Sequence, residues 1–227
     1  GNAGFKVTRL SQPKGVALSG KILTWERDSK AVKYRITVGE NESDAARNVE
    51  VGAASTSFNI TNYFGEAWFS GPARDRVGSY SFKVKALGYT AENAASLEKV
   101  SGEGYEYEWL LDSVASESVN YKVVQLATPY GLNVNNGVLR WSGDVNAASY
   151  KVFITYTTPE GIRTKSSSTT ETVYDLSKDI TTSNNYKIYV VATGAREGLN
   201  VSEVIDSEPS ENLDYTYRTP LASPTLT

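Results

Sequence analysis

Apolar and polar residues alternate at every second position in several short stretches of this chain, and no stretch shows a comparable helical period. Leu23 and Trp25 fall on one side and Thr24 on the other. Tyr34, Ile36 and Val38 alternate with Arg35 and Thr37. Tyr80, Phe82, Val84 and Ala86 alternate with Ser81, Lys83 and Lys85. A period of two belongs to a strand with one face buried and one in water. Gly-, Asn- and Ser-containing turns separate the stretches. Short half-buried strands at this spacing predict an antiparallel β-sandwich.

The pattern then repeats. Leu10-Ser-Gln-Pro13-Lys-Gly-Val16 returns as Leu126-Ala-Thr-Pro129-Tyr-Gly-Leu132, and Trp25 and Tyr34 return as Trp141 and Tyr150, all 116 residues on. Tyr80 to Ala86 matches Tyr186-Lys-Ile-Tyr-Val-Val-Ala192 at 106 residues, and Ser116 to Tyr121 matches Ser210 to Tyr215 at 94. The falling offset means that the first copy holds about 10 extra residues before Tyr80 and about 12 more after Ala86, a size that suits loops between otherwise equal strands. Leu221-Ala-Ser-Pro224 repeats the opening a third time. The expected organisation is a domain over 1–125 with two inserted loops, a domain over 126–220, and the start of a further repeat at 221–227.

Pro13 with Trp25, Tyr34 and Tyr80, and Pro129 with Trp141, Tyr150 and Tyr186, resemble the core signature of fibronectin type III domains. The resemblance implies a Trp on the second strand lying under a Tyr on the third, and a Tyr opening the sixth strand that forms a tyrosine corner. The closing segments, Asn120-Tyr121 and Asp214-Tyr-Thr-Tyr217, resemble divergent repeats of Gram-positive bacterial surface proteins. One feature departs from the pattern. The Leu-x-Pro expected before the corner Tyr is replaced by Asn62-Tyr-Phe-Gly65 and Asp175-Leu-Ser-Lys178.

Composition narrows the chemistry. The chain of 227 residues has no His, no Cys and no Met, and a net charge of −3. A triad lacks its His, and thiolate nucleophiles, disulfides and thiolate metal sites are all absent. A carboxylate pair could cleave a glycoside, but it needs a concave pocket that a small filled sandwich seldom offers. No glycine-rich phosphate loop occurs. No apolar run approaches the roughly 20 residues of a membrane span. Residues 1–125 carry 15 basic and 15 acidic side chains and residues 126–227 carry 8 and 11, so neither half has the positive field that nucleic acid requires. The absence of Met predicts a processed product or an excised fragment.

The candidate binding residues lie in the first copy's extra segments. Ala67-Trp68-Phe69 sits between Gly65 and Gly71-Pro72. It reads either as a recognition loop or as a plug over the open end of the sandwich. Leu97 to Val100 and Tyr105 to Trp109 flank Ser-Gly-Glu-Gly and read as an inserted hairpin. Tyr105, Tyr107 and Trp109 would share one face, with Glu106 and Glu108 on the other. Seven acids stand against one Lys between Glu92 and Glu117. Aromatic rings with carboxylates suit a sugar, a protein contact or packing against the sandwich edge. Glu40, Glu42 and Asp44 lack the spacing of a calcium loop. Asn41, Asn59 and Asn200 head glycan-acceptor triplets.

These readings converge on a non-catalytic, cofactor-free extracellular or cell-surface module, monomeric, acting as a spacer in a larger bacterial surface protein. The alternative is an adhesin-type module that recognises a host protein, a glycan or a cell-wall component through Trp68, Phe69, Tyr105, Tyr107 and Trp109.

Overall fold

The computed structural model describes residues 5–40, 47–65, 73–89 and 107–219. The chain divides into two compact units, Gly1–Val123 and Val124–Thr227. The first unit contains β1 (Phe5–Arg9), β2 (Ala17–Ser19), β3 (Ile22–Thr24), β4 (Lys33–Glu40), β5 (Arg47–Gly52), β6 (Ser57–Asn59), β7 (Gly78–Leu87), β8 (Tyr107–Leu111) and β9 (Val119–Gln125), whose last two residues fall in the second unit. Its sheets run β2-β3-β6 and β9-β7-β4-β5, with β1 and β8 paired parallel to each other. The second unit contains β10 (Tyr130–Asn135), β11 (Val138–Ser142), β12 (Ala147–Thr158), β13 (Gly161–Thr169), β14 (Val173–Asp175), β15 (Asn184–Ala195), β16 (Glu203–Ile205) and β17 (Leu213–Tyr217). Its sheets run β10-β11-β14 and β13-β12-β15-β17. Each unit is thus a three-on-four antiparallel sandwich, the strand arrangement of a fibronectin type III domain.

The alternation carries through to burial. Tyr34, Ile36 and Val38 are at most 1% exposed, as are Val152, Ile154, Ile188, Val190 and Ala192. Trp25 stacks obliquely on Tyr34 with ring centroids 5.5 Å apart, and Trp141 meets Tyr150 edge-on at the same 5.5 Å. The second Tyr also ties down a loop: Tyr150 Oη donates to Asp144 O at 2.8 Å, and Tyr34 Oη accepts from the Asp28 N–H at 2.6 Å. Asp144 Oδ1 and Asp28 Oδ1 then accept from the backbone N–H two residues on, an Asx turn that shapes the loop in both copies.

The tyrosine corner forms in both units although Leu-x-Pro is missing. Tyr80 Oη donates to Arg76 O at 3.2 Å and Tyr186 Oη to Thr182 O at 2.7 Å, each reaching four residues back. Short helical turns make the connection instead. Helix α1 (Thr61–Phe64) follows the fully buried Ile60, and a 3-10 turn at Leu176–Lys178 buries Leu176. Phe64 packs edge-on against Tyr80 at 5.0 Å, so α1 covers the corner; Trp68 and Phe69, read as a recognition loop or a plug over the open end of the sandwich, lie outside the described residues.

A serine clasp replaces part of the strand ladder. Ser113 and Ser116 are buried, and their hydroxyls accept from the Ala86 and Val84 N–H groups at 2.9 and 3.0 Å. Their own N–H groups donate to the Ala86 and Val84 carbonyls. Ser207 and Ser210 make the same four bonds to Ala192 and Val190. Asp112 and Asp206 extend the clasp by accepting from the Gly88 and Gly194 N–H groups. The repeated motif Asp-Ser-x-x-Ser therefore satisfies backbone donors of β7 and β15 beyond the point where their pairing with β9 and β17 ends.

Trp141→Ala should cost the second unit ~3–5 kcal/mol in urea unfolding, while the Trp25-centred transition keeps its midpoint, because each Trp lies in its own unit's core. Residues 126–220 expressed alone are expected to give one cooperative melt, and an insoluble or molten product would refute the boundary. Ser207→Ala should lose ~1–3 kcal/mol by orphaning the buried Ala192 N–H. The exposed Ser168→Ala should stay within ~0.5 kcal/mol.

Candidate functional site

The β1–β8 ribbon carries what the structure describes of the candidate residues. Its parallel register sets Phe5 opposite Tyr107, Val7 opposite Trp109 and Arg9 opposite Leu111. Residues opposed in this way share a face. The inward face holds the buried Leu110, and Leu10 N–H continues the pairing to Leu111 O at 3.0 Å. The outward face shows Val7 at 62% exposure, Leu111 at 36% and a half-buried Trp109. An apolar strip of this kind on a strand pair is surface available for contact.

Close packing holds β8 in place. A Cβ on Gly88 would overlap the Leu110 carbonyl, so this position takes glycine for lack of space. The Tyr89 N–H donates to the same carbonyl at 3.1 Å. Arg9 donates to Asp112 O at 3.0 Å and Gln12 to Ala115 O at 2.7 Å, lacing the opening segment of the unit to its closing one.

The Glu108 carboxylate on β8 is compensated by its neighbours. Thr8 Oγ1 donates to Glu108 Oε1 at 2.7 Å, and Lys30 Nζ donates to Oε1 and Oε2 at 3.0 and 3.1 Å. The Thr8 hydroxyl first, and Lys30 after it, hold the Glu108 carboxyl below its ordinary range. At Asp112 burial pushes the carboxyl up, but the Gly88 N–H and Lys85 at 3.0 Å outweigh it and the net direction is down. Glu108 is thus a structural acceptor as the chain stands.

Of the five candidate residues, Tyr107 and Trp109 lie on β8, whereas Trp68, Phe69 and Tyr105 fall outside the described residues, as does the expected hairpin arm from Leu97 to Val100. Among the described residues, the described part of the second arm pairs with β1, in parallel. The second unit explains why. Counted back 94 residues, β16 (Glu203–Ile205) falls on Trp109 to Leu111, and Leu126 N–H donates to Ile205 O as Leu10 does to Leu111 O. Residues 109–111 belong to the common sandwich, and the extra residues end before them. Trp109 nevertheless occupies a position where the other copy has Glu203, so the fold does not demand an aromatic ring there. Sequence reading missed Val7 and Leu111, which acquire meaning only once β1 and β8 are side by side.

Asn59 of the second acceptor triplet is engaged, its Oδ1 accepting from the N–H and Oγ1 of Thr61, while Asn200 is exposed and Asn41 is outside the described residues. Among the described residues, no group of three or more His, Cys, Asp or Glu side chains could hold a metal ion, and no helix is long and apolar enough to cross a membrane.

No family model matches the sequence, and no curated protein matches it. Solved structures do. One is a two-domain fibronectin type III segment of chicken tenascin, with 16% identity over 92% of this chain and 100% of that one, at a TM-score of 0.36. Another comprises domains FN1–FN3 of chicken CNTN1, with 14% identity over 95% of this chain and 63% of that one, also at a TM-score of 0.36.

Proposed function

We propose that this chain is a non-catalytic extracellular repeat module, a monomeric spacer or scaffold within a larger bacterial surface protein. The observation that carries this reading is the duplication of one self-contained core. Both units hold the same Trp–Tyr contact, tyrosine corner, Asx turn and serine clasp at corresponding positions. The repeated polar groups are used up inside the fold, which leaves none of them for catalysis. The join is short as well: β9 ends at Gln125 and Pro129 follows four residues later. Short Pro-bearing connections limit the swing of successive domains. A spacer should lengthen in equal steps when copies of residues 126–220 are added in tandem. Small-angle scattering checks this through the maximum dimension. A dimension that fails to grow with copy number would refute the reading.

A second reading has its own support. The exposed Val7 and Leu111 beside the half-buried Trp109 form an outward apolar strip that the second copy's Glu203 position does not reproduce. In this reading Trp68, Phe69, Tyr105, Tyr107 and Trp109 contact a host protein, a glycan or a cell-wall component. Aromatic side chains bury much area for little rotamer entropy, which makes them effective anchors. Trp109→Ala should then keep the first unit's melting temperature and weaken binding to matrix proteins or a glycan array by ~10-fold or more. Lost stability with no ligand for the parent chain would leave the spacer alone.

A further inference from the structure

The second unit's four-stranded sheet has a solvent face that the first unit does not share. On β12 the inward residues are Tyr150, Val152 and Ile154, so Lys151, Phe153, Thr155 and Thr157 point out. On β15 the outward set includes Asn185, Lys187 and Tyr189. Phe153 and Tyr189 lie directly opposite each other and stack, with ring centroids 4.7 Å apart and planes 10° from parallel. In the first unit the corresponding positions are Thr37 and Lys83, also directly paired. The sandwich therefore closes without an aromatic stack at this place.

Next to the stack lies a groove of about 490 Å³ that crosses β12, β15 and β17. That volume is in the range of small-ligand sites. Its outward polar lining comes from Thr155 and Thr157 on β12, Asn185 on β15 and Thr216 on β17. Thr216 Oγ1 donates to Asn185 Oδ1 at 2.9 Å, which orients the amide and leaves its NH₂ free to donate. Ile162, 74% exposed on β13, forms an apolar wall. The two charges in the groove cancel: Lys187 Nζ contacts Asp214 Oδ1 at 3.0 Å. The first unit has Ser81 and Asn120 at those two positions.

We propose that this groove, together with the Phe153–Tyr189 stack, binds an uncharged polyhydroxylated chain, a neutral glycan. The chemistry of such a ligand is a row of hydroxyls on an apolar ring framework. Hydroxyls pair with the alcohols of Thr155 and Thr157 and with the Asn185 amide. The C–H faces of the sugar rings pack on Ile162 and on the outer edge of the aromatic stack. The self-neutralised Lys187–Asp214 pair adds two hydrogen-bonding groups without a net field, which favours an uncharged ligand over a polyanion. The proposal concerns a different unit and different residues from the strip at Trp109, so either can fail alone.

The test uses the full chain, labelled for amide NMR, titrated with cello-, chito-, malto- and mannohexaose to ~10 mM, a range that captures weak sugar affinities. The expected result is shift perturbation gathered at Thr155, Asn185, Lys187 and Tyr189 with at least one sugar. Asn185→Ala and Tyr189→Ala should each weaken that binding ~10-fold or more. Both should retain the second unit's cooperative melt, and Lys83→Ala in the first unit should leave binding unchanged. The proposal is overturned if no hexaose perturbs these amides, if both variants bind like the parent, or if an anionic hexasaccharide such as a heparin fragment binds more tightly here than any neutral sugar. A peptide occupying the face in place of sugar would overturn it as well.

Discussion

Each unit depends on one inter-sheet contact, a Trp on the three-stranded sheet packed against a Tyr on the four-stranded one. The indole N–H of Trp25 and that of Trp141 are both buried without a hydrogen-bond partner. Leaving a donor unpaired costs ~1–3 kcal/mol, whereas burying a ring of this size stabilises by ~4–6 kcal/mol. The residue is therefore kept for its area. The partner Tyr does two jobs at once. Its ring fills the gap between the sheets, and its hydroxyl fixes an Asp turn at the end of the sandwich.

The remaining architecture deals with backbone groups that the sheets leave over. The pairing of the last strand ends at Phe82 and Ile188, and beyond it the Asp-Ser-x-x-Ser clasp puts hydroxyls where carbonyls would have been. The opening segment is handled by parallel pairing of β1 with β8 in the first unit. The free edge at β13 carries Arg163 and Lys165, and Lys165 Nζ donates to Asp179 O. Cations on an edge discourage pairing with another chain, because two copies brought together would oppose like charges.

With the cores duplicated, individuality is confined to surfaces. One unit presents Val7, Trp109 and Leu111 on an edge ribbon; the other presents Phe153 and Tyr189 on a sheet face. Trp109 stands where the sister unit has Glu203, and Phe153 and Tyr189 stand where it has Thr37 and Lys83. Selection for packing would not distinguish the copies in this way, since the same sandwich forms either way.

The sequence alone determined the strands, their inward faces and the duplication, because period-two alternation and a repeated Pro–Trp–Tyr–Tyr set are local or nearly local properties. It also contained the serine clasp in plain view as Asp112-Ser113 to Ser116 and Asp206-Ser207 to Ser210, but a hydroxyl standing in for a carbonyl has no periodic signature. Phe153 and Tyr189 were legible as aromatics at outward positions. Their stacking was not, because the register between β12 and β15 joins residues 36 positions apart. Tertiary structure decided the rest. It made β8 the partner of β1 across about a hundred residues, drew Val7 and Leu111 into one strip with Trp109, and put Phe64 over Tyr80. Each of these depends on which strands become neighbours, and that choice is made by the whole folded chain and not by any segment of it.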